Sequence, residues 1–219
     1  MRETMTYNPC FYQLREGQLQ RMLEIISHNK EAKPHGVVFF GDSLTQMYDL
    51  DKYFPQIPLK YNCGIGGATS EELLWFVDEA VIKYQPSLVV MMIGINDLGH
   101  TVMLSPKDIA NYVKSIIDLI RGNLPDTQIL LLSTLPCVES LRDYHHVLGI
   151  RCNDLVKMIY IQYQELILDN KTTLINVFDE FIDENNEAKT KYYQDGLHLN
   201  ERGYQKLTSL IEKKIQDYL

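Results

Sequence analysis

Five short apolar runs divide the chain at similar intervals. They occupy Val37–Phe40, Leu59–Cys63, Ser87–Ile93, Ile129–Ser133 and Thr173–Val177. Runs of this length, bounded by turn-forming residues, are typical of strands buried in a sheet. The third run, Ser-Leu-Val-Val-Met-Met-Ile, is almost continuously apolar, which indicates a parallel strand that is covered on both faces.

Segments with apolar residues at helical spacing lie before, between and after these runs. We predict helices over Phe11–Asn29, Glu71–Lys83, Ser105–Arg121 and Glu201–Tyr218, and a further long helix that ends near Leu168. Thr69 or Ser70 is expected to cap the second helix, and Gly122 to end the third. Five strands that alternate with helices predict a parallel, doubly wound sheet. The predicted fold is therefore a flavodoxin-like, three-layer α/β/α sandwich.

The first of these helices is expected to cover the core. Its apolar positions fall on one stripe of a helix: Leu14, Leu19, Met22, Leu23 and Ile26. Its charges are mixed in sign, which argues against a role at a membrane surface. We therefore expect one domain over residues 1–219, with residues 1–30 as a helical extension packed on it.

The composition of the chain argues against several classes of binding partner. The formal charge is −8 and there is no long basic run, so nucleic acid is not an expected partner. No apolar stretch approaches 18 residues, which argues against integral membrane association, and the first residues lack the apolar region of a signal peptide. The cysteines are widely spaced and predict neither a zinc site nor a disulfide framework. Reduced thiols in a cytoplasmic protein are the simpler expectation, and a homo-oligomer is left open.

The candidate catalytic and binding residues follow the carboxyl ends of the strands, where open α/β sheets bind their ligands. Asp42-Ser43 follows the first strand, and a serine there is either a helix N-cap or a nucleophile. Residues 62–70 follow the second strand and hold three glycines, Gly64, Gly66 and Gly67, which fit neither a dinucleotide fingerprint nor a Walker loop. Asn96 follows the third strand, as a turn former or as a donor to a developing oxyanion.

Three Asp-x-x-His pairs compete for the part of a base with its orienting carboxylate: Asp97/His100, Asp143/His146 and Asp195/His198. All three follow strands, so spacing does not distinguish them. The helix after a fifth strand commonly packs beside the first strand, which favours His198. His100 is the serious rival, because the third strand borders the first in flavodoxin-like order.

Four segments resemble the conserved blocks of the GDSL/SGNH hydrolases. They are Gly41-Asp42-Ser43-Leu44, the Asn62 to Gly67 loop, Gly94-Ile95-Asn96-Asp97 and Asp195-Gly196-Leu197-His198, in family order. Gly-Ile-Asn-Asp and Asp-Gly-Leu-His-Leu are most similar to bacterial lipase/acylhydrolases of the platelet-activating-factor acetylhydrolase type. Ala68 departs from the pattern, since many members carry Asp there; we expect little cost to catalysis.

The resemblance implies a serine esterase that needs no metal or other cofactor. Ser43 would be the nucleophile, His198 the base and Asp195 its orienting acid, with oxyanion donors from the Ser43 and Gly67 backbone N–H groups and the Asn96 side chain. The expected substrate is a small-molecule ester, with short O-acetyl groups on sugars or lipids favoured. The alternatives are a long-chain lysophospholipase or thioesterase, a non-catalytic binding module on this fold, and a phosphate- or nucleotide-binding flavodoxin-like protein. The loop Leu135–His145 is expected to help shape the acyl pocket.

Overall fold

A sheet of five parallel strands forms the centre of the computed structural model, which describes residues 15–99, 104–139 and 151–219. The strand order is β2-β1-β3-β4-β5. The strands are β1 (Val37–Gly41), β2 (Lys60–Gly64), β3 (Leu88–Met92), β4 (Gln128–Leu132) and β5 (Thr172–Ile175). The order confirms the flavodoxin-like prediction, with β3 hydrogen-bonded beside β1.

Helices cover both faces of the sheet. They are α1 (Glu16–Asn29), α2 (Ser43–Gln46), α3 (Leu50–Tyr53), α4 (Ser70–Ala80), α5 (Pro106–Asn123), α6 (Asn153–Leu166), α7 (Phe178–Phe181) and α8 (Glu201–Gln216). Two short 3₁₀ helices lie at Ile82–Tyr84 and Thr190–Tyr192. Val38 and Phe40 of β1 pack with α1, α4, α5 and α6, whereas Val37 and Phe39 pack with α2, α3 and α8. The two clusters are the two cores of a three-layer sandwich.

Helix α1 buries only part of the predicted stripe: Met22 is buried and Ile26 packs against the core. Its buried residues are Gln18, Met22, Ile25 and Asn29. Leu19 and Leu23 are instead 45% and 57% exposed. Gln18 can be buried because its Nε2 donates a hydrogen bond to Glu72 Oε1 of α4 at 3.2 Å. Partners on α4, rather than apolar periodicity alone, therefore set the rotation of α1.

The ends of the elements follow local chemistry. Thr69 caps α4, and its hydroxyl and the Glu72 carboxylate form a reciprocal capping box. Ser105 caps α5, whose first residue is Pro106, as predicted. The prediction that Gly122 ends α5 is wrong: the helix continues to Asn123, because a Cβ-free residue is also tolerated inside the last turn.

Some predictions fall on residues outside the described ranges. Leu14, His100, Asp143, His146 and the second half of the Leu135–His145 loop are among them. Within residues 15–99, 104–139 and 151–219, no helix combines the length and the apolar character needed to cross a bilayer.

Candidate active site

Ser43 lies on a tight turn between β1 and α2. A Cβ on Gly41 would lie 2.5 Å from Thr45 Oγ1 and would also overlap the carbonyl oxygen of Met92, so only glycine fits there. Asp42 is the N-cap of α2, and its carboxylate accepts a hydrogen bond from Leu44 N at 2.9 Å. The turn thus places Ser43, half-buried, at the carboxyl end of β1, an inner strand of the sheet.

Asn62 of β2 supports this turn from the neighbouring strand. Its Nδ2 donates hydrogen bonds to the carbonyl oxygens of Thr45 at 2.8 Å and of Tyr48 at 3.0 Å. Thr45 lies in α2 and Tyr48 lies just beyond it, so both acceptors belong to the C-terminal end of this helix. The side chain of Asn62 therefore fixes the far end of the short helix that begins with Ser43.

His198 lies directly beside Ser43. Its Nε2 is 2.9 Å from Ser43 Oγ, although 155 residues separate the two in sequence. On the other side of the ring, Nδ1 is 2.8 Å from Asp195 Oδ2. The structure therefore brings Ser43, His198 and Asp195 into one hydrogen-bonded line.

A turn built on Asp195 holds His198 in place. Asp195 Oδ1 accepts hydrogen bonds from the backbone N–H of Leu197 at 2.7 Å and of His198 at 2.6 Å. Burial opposes ionisation of Asp195, but the His198 backbone N–H, the imidazole and the Leu197 N–H outweigh it and hold the pKa of Asp195 below its usual value. The carboxylate is consequently ionised at neutral pH. The turn itself is tied to the loop after β4, since Val138 N donates to Gly196 O at 2.8 Å.

The glycine loop after β2 contacts the loop after β3 through the side chain of Asn96. Gly67 has a φ of +74°, a left-handed conformation that favours glycine. Asn96 is 4% exposed, and its Nδ2 donates a hydrogen bond to Ala68 O at 3.1 Å. A primary amide carries two N–H groups, so this bond leaves a second donor on Asn96 Nδ2.

The Asp97 side chain also links the loop after β3 to the start of α4, which follows the glycine loop. Its carboxyl group accepts hydrogen bonds from Ser70 N at 3.0 and 3.1 Å and from Ser70 Oγ at 2.5 Å. Ser70 is the first residue of α4, where a negative group is stabilised by the helix dipole. The residue after Asn96 therefore fixes the loop that carries Asn96 to the helix that follows Gly67.

Three buried carboxyl groups, those of Asp42, Asp97 and Glu72, have raised pKa values. Burial raises the pKa of Asp42 to about 6 and that of Asp97 to about 7. Burial, together with the charge of Asp97, raises the pKa of Glu72 to about 7. In all three cases the loss of hydration disfavours the charged form more strongly than the hydrogen bonds favour it.

Sequence reasoning assigned no part to the Asn62 side chain or to Arg151. It considered Asp97 only as a carboxylate to orient His100, whereas Asp97 is hydrogen-bonded to Ser70. The Arg151 guanidinium reaches the loop after β3, where Nη2 is 3.4 Å from Asn96 Oδ1. Asn62 and Asp97 lie inside recognisable blocks, but no sequence pattern reveals their partners, which are backbone groups and, for Asp97, also the Ser70 hydroxyl. In the described part of the chain, no group of three or more His, Cys, Asp or Glu side chains is arranged to hold a metal ion.

Comparison with known proteins gives a consistent family. The sequence model of the GDSL-like lipase/acylhydrolase family matches residues 39–206. Platelet-activating factor acetylhydrolase IB subunit alpha1 of Bos taurus is 30% identical over 115 residues, which cover 51% of this chain and 47% of that protein. The match thus spans about half the length of that relative. Subunit alpha2 of Rattus norvegicus is 24% identical over 194 residues, 87% of this chain and 80% of that protein.

Solved structures share the fold. A Streptococcus pneumoniae protein described as a platelet activating factor superposes with a TM-score of 0.83 at 28% identity, covering 91% of this chain and 93% of that one. Est24, a carbohydrate acetylesterase from Sinorhizobium meliloti, superposes with a TM-score of 0.68 at 18% identity, covering 84% of this chain and 100% of that one. Since the family model matches most of the sequence, the chain belongs to the GDSL-like lipase/acylhydrolase family.

Proposed function

We propose that Ser43 is the nucleophile of an acyl transfer, with His198 as general base and Asp195 as the acid that orients it. The observation that carries the proposal is the line from Asp195 Oδ2 through the His198 ring to Ser43 Oγ, with separations of 2.8 and 2.9 Å. An ionised carboxylate only accepts hydrogen bonds, so it requires the proton on Nδ1. The lone pair of the neutral ring is then on Nε2, facing the Ser43 hydroxyl.

We further propose that the Ser43 and Gly67 backbone N–H groups and the Asn96 side chain form the oxyanion hole. The support is the second N–H of the Asn96 amide, whose first N–H bonds to Ala68 O beside the left-handed Gly67. The same loop lies next to Ser43, since a Cβ added at Gly66 would be 3.8 Å from Ser43 Cβ. Donors of this kind act on a charge that exists only in the transition state, and each contributes about 3–4 kcal/mol to lowering the barrier.

The reaction proceeds in two steps. Ser43 Oγ attacks the ester carbonyl carbon and its proton passes to His198 Nε2; the tetrahedral oxyanion then collapses, and the alcohol leaves with that proton. Water next attacks the acyl-enzyme, gives a proton to the same nitrogen, and the carboxylic acid is released as Ser43 recovers its hydrogen.

The proposed substrates are esters with short acyl groups, O-acetyl groups on a sugar or a lipid. The support is the name acetylhydrolase of the Bos taurus relative and the name carbohydrate acetylesterase of Est24.

We propose the cytoplasm as the location and residues 1–219 as one domain. The buried free thiol of Cys63 supports the first of these, since such thiols persist in reducing compartments.

A serine-directed phosphonate tests the nucleophile. We expect one covalent adduct by mass spectrometry, located on Ser43 by peptide mapping and absent from Ser43→Ala. Ser115→Ala, which alters a serine on helix α5, is the matched control and should still be labelled. A wild-type protein that stays unlabelled and cleaves no ester would instead support a non-catalytic binding module.

A chain-length series of p-nitrophenyl esters tests the acyl group. The proposal requires kcat/KM to be highest for acetate or propionate and to fall with longer chains. A rate that rises toward decanoate would refute the short-acyl assignment and favour the lysophospholipase or thioesterase alternative, while leaving the serine mechanism intact.

Histidine variants test the base. His198→Ala should lose most of the turnover, because an unactivated serine hydroxyl is a poor nucleophile at neutral pH. His100→Ala and His146→Ala should keep kcat within about tenfold, as expected of disturbed positioning. If folded His198→Ala keeps its turnover while His100→Ala loses it, the base lies after β3 instead.

A further inference from the structure

The Asn96 amide contacts a cation on the side away from its proposed oxyanion donor. Arg151 Nη2 lies 3.4 Å from Asn96 Oδ1, and Asn96 Nδ2 donates to Ala68 O at 3.1 Å. A guanidinium has only donors, so the amide atom that faces it must be the oxygen. Arg151 therefore fixes which end of the amide is NH₂ and directs that end toward the glycine loop.

The guanidinium is itself held by the loop that carries Asn96. Its Nε donates a hydrogen bond to Ile95 O at 3.0 Å. It also packs against Gly99, where an added Cβ would overlap the guanidinium atoms. The loop after β3 thus makes room for Arg151 with a glycine and supplies both a carbonyl and an amide oxygen to it.

We propose that Arg151 is a positioning residue for the oxyanion hole, which orients the Asn96 amide and polarises it. This inference rests on the proposed function of Asn96. A positive charge beside Oδ1 draws electron density from the amide and makes the remaining Nδ2–H a stronger donor. Because that donor acts on the transition state, loss of Arg151 should lower kcat rather than raise KM.

A double-mutant cycle separates this role from a general loss of structure. With p-nitrophenyl acetate, Arg151→Ala should lower kcat at least tenfold and change KM less than about threefold, and Arg151→Lys should restore part of kcat. In an Asn96→Ala background the same substitution should lower kcat less than about threefold, since the group through which it acts is already gone. Equal losses in both backgrounds, or an unchanged kcat in Arg151→Ala, would overturn the inference.

Three further substitutions guard against misfolding. Gly99→Ala keeps the arginine but displaces its guanidinium, and should reproduce the kcat loss; Gly122→Ala, whose Cβ would have nothing within 4 Å, should not. Arg121→Ala removes another half-buried arginine, one that pairs with Asp169, and should leave kcat unchanged even if stability falls.

A spectroscopic measurement keeps the inference separate from the proposed function. The side-chain ¹⁵N–¹H signals of Asn96, assigned by their loss in Asn96→Ala, should shift in Arg151→Lys without any substrate present. Unchanged signals would refute the contact. Shifted signals in a protein that the phosphonate fails to label would uphold the positioning of Asn96 and refute the proposed function instead.

Discussion

The buried carboxyl group of Asp97 makes the stability of the protein depend on pH in a defined direction. Burial raises its pKa from 3.8 to about 7, against the opposing hydrogen bonds from Ser70. Between these two pH values the folded protein binds a proton that the unfolded chain releases. The stabilisation is therefore complete below pH 3.8 and is lost as the pH rises through about 7.

The size of this effect follows from the same two values. One pH unit of difference between folded and unfolded pKa values corresponds to about 1.4 kcal/mol. The interval from 3.8 to about 7 thus corresponds to about 4 kcal/mol in total, and about half of it falls between pH 5 and 7. Glu72, whose pKa the charge of Asp97 helps to raise, changes stability in the same direction.

Asp97→Asn removes this dependence while it retains the shape of the protonated acid. We expect the free energy of unfolding of wild type to fall, relative to that of Asp97→Asn, by about 2 kcal/mol between pH 5 and 7. Urea denaturation at pH 5, 6, 7 and 8 and constant ionic strength measures the difference. Asp118→Asn, at a 60% exposed side chain of α5, should follow wild type at every pH. Parallel curves for wild type and Asp97→Asn would refute the reasoning.

Three further predictions concern the site and its scaffold. Asn96→Ala should lower kcat by about 10²–10³ with little change in KM, as measured with p-nitrophenyl acetate; a near-wild-type kcat would make Asn96 only a turn residue. Asp195→Ala should lower kcat less than His198→Ala in the same assay, because it removes orientation but leaves the base, and equal losses would contradict this. Thr69→Ala should lower the free energy of unfolding by about 1 kcal/mol in urea while kcat stays within a fewfold, since the Thr69 side chain caps α4; an unchanged free energy would mean that its cap contributes nothing.

Apolar patterning predicted the sheet because parallel strands covered on both faces must be apolar throughout. β3 is the clearest case: every residue from Leu88 to Met92 is buried. Apolar patterning was only partly right for α1, where Met22 is buried as predicted, but Gln18 is buried too and Leu23 is exposed. A helix at the edge of a layer needs only a narrow apolar contact, so a few specific hydrogen bonds can outweigh its periodicity.

Local spacing could not identify the base, because three Asp-x-x-His pairs share one pattern. What places His198 beside Ser43 is the return of the chain from β5 at one edge of the sheet to α8. That helix packs against α2 and α3, where Tyr204 OH donates to Leu44 O at 2.9 Å. Arg151 was beyond sequence reasoning for a different reason: its partners are a carbonyl and an amide oxygen more than 50 residues away.

Asp195, the acid of the proposed triad, is not the carboxyl group whose pKa is shifted most. Strongly shifted pKa values in a cleft usually point to catalytic groups, and that rule would select Asp42 or Asp97 here. Both are buried and hydrogen-bonded to backbone and Ser70, and their raised pKa values would leave them partly protonated below pH 7. Orienting an imidazole through Nδ1 requires a carboxylate that stays ionised throughout the working range. Asp195, 47% exposed and with a lowered pKa, meets that requirement because its own turn supplies two N–H donors. Environment thus divides the carboxyl groups between two tasks, with the buried ones fixing the loops and the exposed one suited to orient the proposed base.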